Sequence, residues 1–352
     1  MSTADWFDFP PSEYARRIAV AQEAMSGTEL DALFLTQKQN IEYFSGFMTT
    51  HWGSRTFPTA GMVIPYSGEP ILVVSDFLQE TARSTSPVES HATFPNPHAK
   101  PDGFVDAVVE AIHSVGFARS GCLGVETGYQ MMGQWSISDF QALRERLPAM
   151  RLLSADPFVW AARSQKSTDE IERIEWLSQL TARALGRVLA TAEPGMTEVD
   201  LARGLLVDVV QAGADGLSHL NIRCGPERYG MRDSLPQHRQ IQSGETLLVN
   251  AGASFHGYMS DVGSTRVIGD SRLYTDDFQI MTDAQQAGLA RVEIGVAASD
   301  VFSSVNHELR RSRLRSIAMC GHGMGVAFHE PPVLRPGNDE TIRDCMVLAL
   351  ES

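Results

Sequence analysis

One pattern occurs twice in this sequence and narrows its possible folds more than anything else in it. Gly195-Met196-Thr197-Glu198-Val199-Asp200-Leu201 and Gly295-Val296-Ala297-Ala298-Ser299-Asp300-Val301 stand 100 residues apart. Each follows one long helical stretch and leads into another. Self-similarity at a fixed period implies a domain built from two related helix–helix–strand halves. Coincidence is the competing explanation, because only the glycine and the aspartate match fully.

The first of these helices starts cleanly. Ser167-Thr168-Asp169-Glu170 has the form of a capping box, and the apolar stripe Ile171, Ile174, Leu177, Leu180 follows it. Upstream, helix and strand signals alternate: an amphipathic helix over 12–25, strands over 31–36, 60–65, 70–75 and 122–126, and a helix over 104–115. A helix over 138–147 and a strand over 151–154 close this part. The Ser-, Pro- and His-rich stretch 84–102 reads as loop. At 352 residues the chain exceeds one small core. The expected division is an α/β domain over 1–155 and a second domain over 156–352.

Charge and composition exclude more than they select. A net charge of −14 argues against nucleic acid and anionic membrane as partners, since both require concentrated Lys and Arg. Cys122, Cys224, Cys320 and Cys345 form no metal-spaced pair and suit a reducing compartment. The N-terminus shows no basic segment followed by an apolar core, and no apolar run is long enough to cross a bilayer. A cytoplasmic protein is expected.

Two segments carry candidate chemistry. In Gly321-His322-Gly323-Met324-Gly325-Val326-Ala327-Phe328-His329-Glu330-Pro331-Pro332, glycines let the backbone approach a ligand closely, and the final prolines stop any helix. His322 and His329 are thereby presented as metal ligands or as general acid and base. The stretch 245–267 reads as a β-hairpin. With its turn centred between Phe255 and His256, Asn250 and Asp261 face each other across the strands, close enough to share one ion or substrate. Service of a turn is the other reading of the same pair.

These residues resemble the pita-bread superfamily, which holds methionine aminopeptidase, aminopeptidase P, prolidase and creatinase. Gly257-Tyr258-Met259-Ser260-Asp261 followed by Thr265-Arg266, the Gly-His-Gly-Met-Gly run, His329-Glu330-Pro331-Pro332 and Met346-Val347-Leu348-Ala349-Leu350-Glu351 carry the similarity. It extends upstream through Asn40-Ile41-Glu42-Tyr43-Phe44-Ser45-Gly46-Phe47 and Arg163-Ser164-Gln165-Lys166-Ser167. The resemblance implies an N-terminal creatinase-like α/β domain followed by a pita-bread domain with a pseudo-twofold internal repeat. It implies Asp261, His322 and Glu351 as metal ligands, and His329 as a substrate contact that helps stabilise the transition state.

Departures from the family pattern reshape that expectation. Asn250 stands where the family has its first Asp; its amide oxygen can ligate one cation but cannot bridge two as a carboxylate does. The family's last Glu falls beyond Ser352, so the sequence is either a fragment or has lost that ligand. One ion at most is then expected, with Mn, Co, Zn and Fe as the metals, or none. Asp233 occupies the place of the family's substrate-side His. His238 lies close by, either as its substitute in a reshaped loop or as a surface residue. In creatinase-like relatives an Arg near this chain's 49–55 loop grips the substrate carboxylate of a partner subunit. Arg55 resembles it, with Trp52 as an apolar or cation–π wall; a solvated Arg beside a packing Trp is the alternative.

The leading functional expectation is a metallopeptidase-like hydrolase of a C–N bond in a small or dipeptide substrate, similar to Xaa-Pro dipeptidase, acting through a metal-activated water and forming a homodimer. A metal-independent hydrolase resembling creatinase or ectoine hydrolase is the second, favoured by Asn250. A non-catalytic binding module on the same fold is the third.

Overall fold

A computed structural model describes residues 8–53, 57–100, 102–116, 121–269, 274–310 and 317–351. The chain divides into two units, 1–163 and 164–352.

In the first unit the elements run α1 (Pro11–Met25), β1 (Ala32–Leu35), α2 (Lys38–Ser45), β2 (Ala60–Pro65), β3 (Ile71–Ser75), α3 (Gln79–Thr85), β4 (His91–Phe94), α4 (Gly103–Ser114), β5 (Cys122–Val125), α5 (Ile137–Arg146), β6 (Arg151–Ser154) and α6 (Asp156–Arg163). One six-stranded sheet has the order β4-β3-β2-β1-β5-β6. Its β1–β2 and β2–β3 pairs are antiparallel, and the remaining pairs are parallel. Every residue of β1 and β2 is buried, as central strands covered on both faces require. Phe34, Phe94, Phe104, Val108 and Leu123 belong to the core that α4 and α5 close.

Two expectations are corrected here. The stretch read as loop contains β4, a four-residue edge strand whose polar residues reflect its half-covered position. The boundary falls after Arg163 rather than at 155, because α6 packs against α1 and belongs to the first unit. Arg163 Nη1 donates to Asn40 Oδ1 at 2.6 Å, and Asn40 Nδ2 donates to Glu126 Oε1 at 2.6 Å. Burial pushes the Glu126 carboxyl up, against the hydrogen bonds from Asn40, Thr36 and Gln37.

The second unit starts with α7 (Thr168–Thr191) and α8 (Glu198–Gln211), followed by β7 (Gly216–Cys224), β8 (Thr246–Phe255), β9 (Tyr258–Met259) and β10 (Val262–Val267). Then come α9 (Thr275–Arg291), α10 (Ala298–Arg310), β11 (Gly321–Gly323), β12 (Glu330–Val333) and β13 (Leu348–Leu350). The expected capping box forms at Ser167–Glu170, and the structure adds one at Thr197–Asp200.

The internal repeat is written into the backbone. Thr197 bridges Gln240, and Ala297 bridges Thr341. Gly195 N donates to Ile241 O at 2.9 Å; Gly295 N donates to Ile342 O at 2.8 Å. Both glycines hold positive φ, 94° and 88°, which explains why this position is glycine in each half. Each half therefore places two helices ahead of a small sheet, β10-β8-β7 in one and β12-β11-β13 in the other.

Candidate metal centre

The site assembles at the meeting of the two sheets of the second unit. Met259 N donates to Gly325 O at 2.9 Å, joining the first hairpin to the glycine-rich segment. Thr181 Oγ1 and Ser260 Oγ share a buried hydrogen bond of 2.7 Å, which anchors the residue before Asp261 to α7. His322 sits in the middle strand β11, opposite Ala349 of β13. The motif's glycines are sterically required: a Cβ on Gly321 would lie 2.1 Å from Ala349 O, and one on Gly323 2.2 Å from Pro331 O. Glu351 follows directly on β13, its N–H donating to Cys320 O at 2.8 Å.

Ligand atoms of Asp261, His322 and Glu351 all lie within 4.8 Å of one another. His322 Nε2 is 3.1 Å from Glu351 Oε1 and 3.5 Å from Asp261 Oδ2. His322 is fully buried, and its Nδ1 meets Gly323 O at 2.9 Å; that carbonyl orients the ring with Nε2 toward the carboxylates. Both His322 Nε2 and Asp261 Oδ2 are buried without a hydrogen-bond partner. Buried polar atoms of this kind call for an explanation. A divalent cation between them supplies one, and mixed imidazole–carboxylate sets suit Mn, Fe, Co and Zn alike.

Burial disfavours the imidazolium of His322, but Asp261, Glu351 and the Gly323 carbonyl outweigh it and raise the group to about 9. Burial likewise opposes ionisation of Asp261, yet His219, His322 and Asn250 together hold its carboxyl below the usual range. His329 lies just before β12, its ring centroid 4.1 Å from that of His322. Its own pKa is lowered, first by burial and then by the neighbouring His322.

The hairpin register differs from the expected one. Phe255 pairs with Tyr258, so the turn is centred between His256 and Gly257, and Asn250 pairs with Gly263. His256 and Gly257 have φ of 46° and 82°, as a two-residue turn with both central residues left-handed demands. Asn250 and Asp261 are consequently diagonal neighbours. Their side chains still meet, but Asn250 Nδ2 donates to Asp261 Oδ1 at 2.9 Å. Asn250 Nδ2 is thus engaged with Asp261, beside the group formed by Asp261, His322 and Glu351.

Asp233 and His238 are exposed residues of the segment between β7 and β8. Trp52 is half-buried and packs edge-on against Phe47, with centroids 5.8 Å apart. Arg55 lies outside the described residues. One site residue escaped sequence reasoning: His219 of β7, whose Nε2 is 3.4 Å from Asp261 Oδ1. Its only sequence signal is a histidine in a strand paired with the hairpin that carries Asn250.

Fold and site together define a pita-bread hydrolase, of the class acting on peptide C–N bonds. The sequence matches Metallopeptidase family M24 over residues 172–352 and the Creatinase/Prolidase N-terminal domain over 17–165. The chain belongs to metallopeptidase family M24, on its prolidase-like branch. An uncharacterized peptidase, YqhT, of Bacillus subtilis is 24% identical over 336 residues, covering 92% of this chain and 86% of its own length. The Xaa-Pro dipeptidase of Pyrococcus furiosus is 22% identical over 333 residues, covering 93% and 87%. Among solved structures, the Xaa-Pro dipeptidase from Bacillus anthracis superposes with a TM-score of 0.82 at 19% identity, covering 96% of this chain and 89% of that one.

Four cysteines are free: Cys122, Cys224 and Cys320 are buried, and Cys345 is exposed. Burial raises the thiols of Cys224 and Cys320 to about 12, so neither is a nucleophile at neutral pH. No helix among the described residues is long and apolar enough to cross a membrane.

Proposed function

We propose that this chain hydrolyses a C–N bond in a small peptide of the Xaa-Pro dipeptide class, using one divalent cation held by Asp261, His322 and Glu351. The observation that carries the reading is the convergence of these three ligand atoms within 4.8 Å, with two of them buried and unpartnered. Asp261, His322 and Glu351 would hold the cation, which would supply the Lewis acidity that makes water a nucleophile near neutral pH. Glu351, whose side chain is 45% exposed, offers Oε2 to take the proton released from the nucleophile. His329, kept neutral by burial and by His322, turns an N–H toward the oxyanion that develops on the substrate carbonyl. Asp261, held ionised, supplies negative charge to the site, and His322 offers its Nε2.

Relatives named dipeptidases support a small peptide substrate. A homodimer, with Arg55 of one copy gripping the substrate carboxylate, belongs to the same reading. Sedimentation of wild type and Arg55→Ala tests the dimer, and the KM of the variant tests the grip. The reading itself is tested with chelated protein reconstituted with Mn²⁺ or Co²⁺ and assayed on a panel of Xaa-Pro dipeptides. Turnover that appears with metal and is lost in Asp261→Asn and His322→Ala supports it. Equal turnover with and without metal favours the creatinase-like, metal-independent alternative.

A further inference from the structure

His219 stands outside the three-residue ligand group, yet three features of the fold aim it at Asp261. Strand β7 carries a register irregularity between Leu217 and His219, the kind of bulge that re-aims a side chain. His219 pairs with Gly252 on β8, and the absence of a side chain at 252 makes room for the ring. A Cβ on Gly252 would lie 2.5 Å from His219 Cε1 and 2.0 Å from Ser260 O. The ring also packs against Phe328, with centroids 4.2 Å apart, and Ser218 Oγ is 3.2 Å from its Nδ1. So placed, Nε2 of His219 is buried and faces Asp261 Oδ1 at 3.4 Å.

The two oxygens of Asp261 therefore face different company. Oδ1 receives Asn250 Nδ2 at 2.9 Å and lies beside His219 Nε2. Oδ2 is unpartnered and faces His322 Nε2. We infer that His219 is a positioning residue: with Asn250 it engages Oδ1 and fixes the carboxylate so that Oδ2 alone is presented to the cation. This inference rests on the single-ion reading above. It goes beyond it by assigning a role to a residue outside the ligand group, and by making Asp261 a one-oxygen ligand. Partners in this position set the orientation and strength of a ligand, and their loss weakens metal binding roughly 10- to 100-fold.

The test uses the full chain, stripped by chelation and titrated with Co²⁺, reading dissociation constant, stoichiometry and visible absorption. X-ray absorption of the loaded protein counts nitrogen ligands. His219→Phe keeps the aromatic packing on Phe328 without a nitrogen, and His219→Gln restores a donor near Oδ1. His219→Phe is expected to bind Co²⁺ roughly 10- to 100-fold more weakly with one ion and an unchanged nitrogen count, and His219→Gln to recover most of the loss. A merely structural role would lower the melting temperature and leave the affinity of His219→Phe within twofold of wild type, which overturns the inference. Loss of one nitrogen ligand in His219→Phe overturns it too, because His219 would then bind the metal directly. Should His219→Phe not fold, His219→Gln and His219→Ala decide: equal affinities in these two overturn the inference, and tighter binding by His219→Gln supports it. Absence of Co²⁺ binding by wild type overturns the single-ion reading itself and this inference with it, and that outcome is read before any variant is made.

Discussion

Raising the pH from 6.5 to 9 should destabilise the metal-free protein and strengthen its hold on metal, two effects of opposite sign from one imidazole. His322 has its pKa raised from 6.5 to about 9 by Asp261 and Glu351. Because the folded value exceeds the unfolded one, the stabilisation is complete below about pH 6.5 and is lost as the pH passes about 9. At about 1.4 kcal/mol per pH unit, the window corresponds to about 3 kcal/mol of folding free energy. The lowered Asp261 describes the same attraction from its other end, so the two shifts are not added. Metal requires the neutral ring. Its apparent Kd should therefore fall about tenfold per pH unit, by about a hundredfold between pH 7 and 9, then level off. Urea unfolding of chelated protein measures the first effect. Calorimetric titration with Mn²⁺ in two buffers of different ionisation enthalpy measures the second, with about one proton released per ion at pH 7.5. A Kd independent of pH, with no proton release, would refute the reasoning: His322 would then be either neutral throughout or not a ligand.

Three further outcomes follow from the same geometry. Glu351→Gln removes the carboxylate 3.1 Å from His322 Nε2. NMR titration should find the His322 pKa below about 9, and Co²⁺ affinity should drop by at least about a hundredfold. Lys166→Met removes the ammonium 3.0 Å from Glu330 Oε2, a pair whose side chains are both only 1% exposed. The expected loss is about 3–5 kcal/mol by chemical denaturation, and Lys166→Met/Glu330→Leu should recover much of it. Gly323→Ala forces a Cβ against Pro331 O and should destabilise by about 3 kcal/mol or more, read as a lowered thermal midpoint together with loss of metal binding.

Much of the fold was legible because its signals are local. Ser167 and Glu170 cap α7 through side chains three residues apart, and the repeated Gly195 and Gly295 mark a backbone conformation that other residues adopt only with strain. His322 was legible from the close-packed glycines on either side of it, whereas Glu351 was legible only through the family resemblance of the strand before it. What escaped depends on distant pairing. β4 has no apolar alternation of its own and becomes a strand through its parallel pairing with β3. The hairpin centre shifted by one residue because His256 takes a left-handed conformation that histidine seldom advertises. His219 is aimed by a bulge and by a glycine on the facing strand, and neither is visible from its own neighbours.

The repeat also relates residues of the site across its two halves. Ile241 and Ile342 are equivalent, each accepting from the glycine that opens its half. Nine residues beyond them stand Asn250 (241 + 9) on β8 and Glu351 (342 + 9) after β13. The two halves thus aim corresponding residues at one centre, an amide from the first and a carboxylate from the second. With Asp261 and His322 they bring two carboxylates, an amide and an imidazole together among the described residues. The amide at 250 donates to Asp261 Oδ1, while Asp261 Oδ2 faces His322 Nε2.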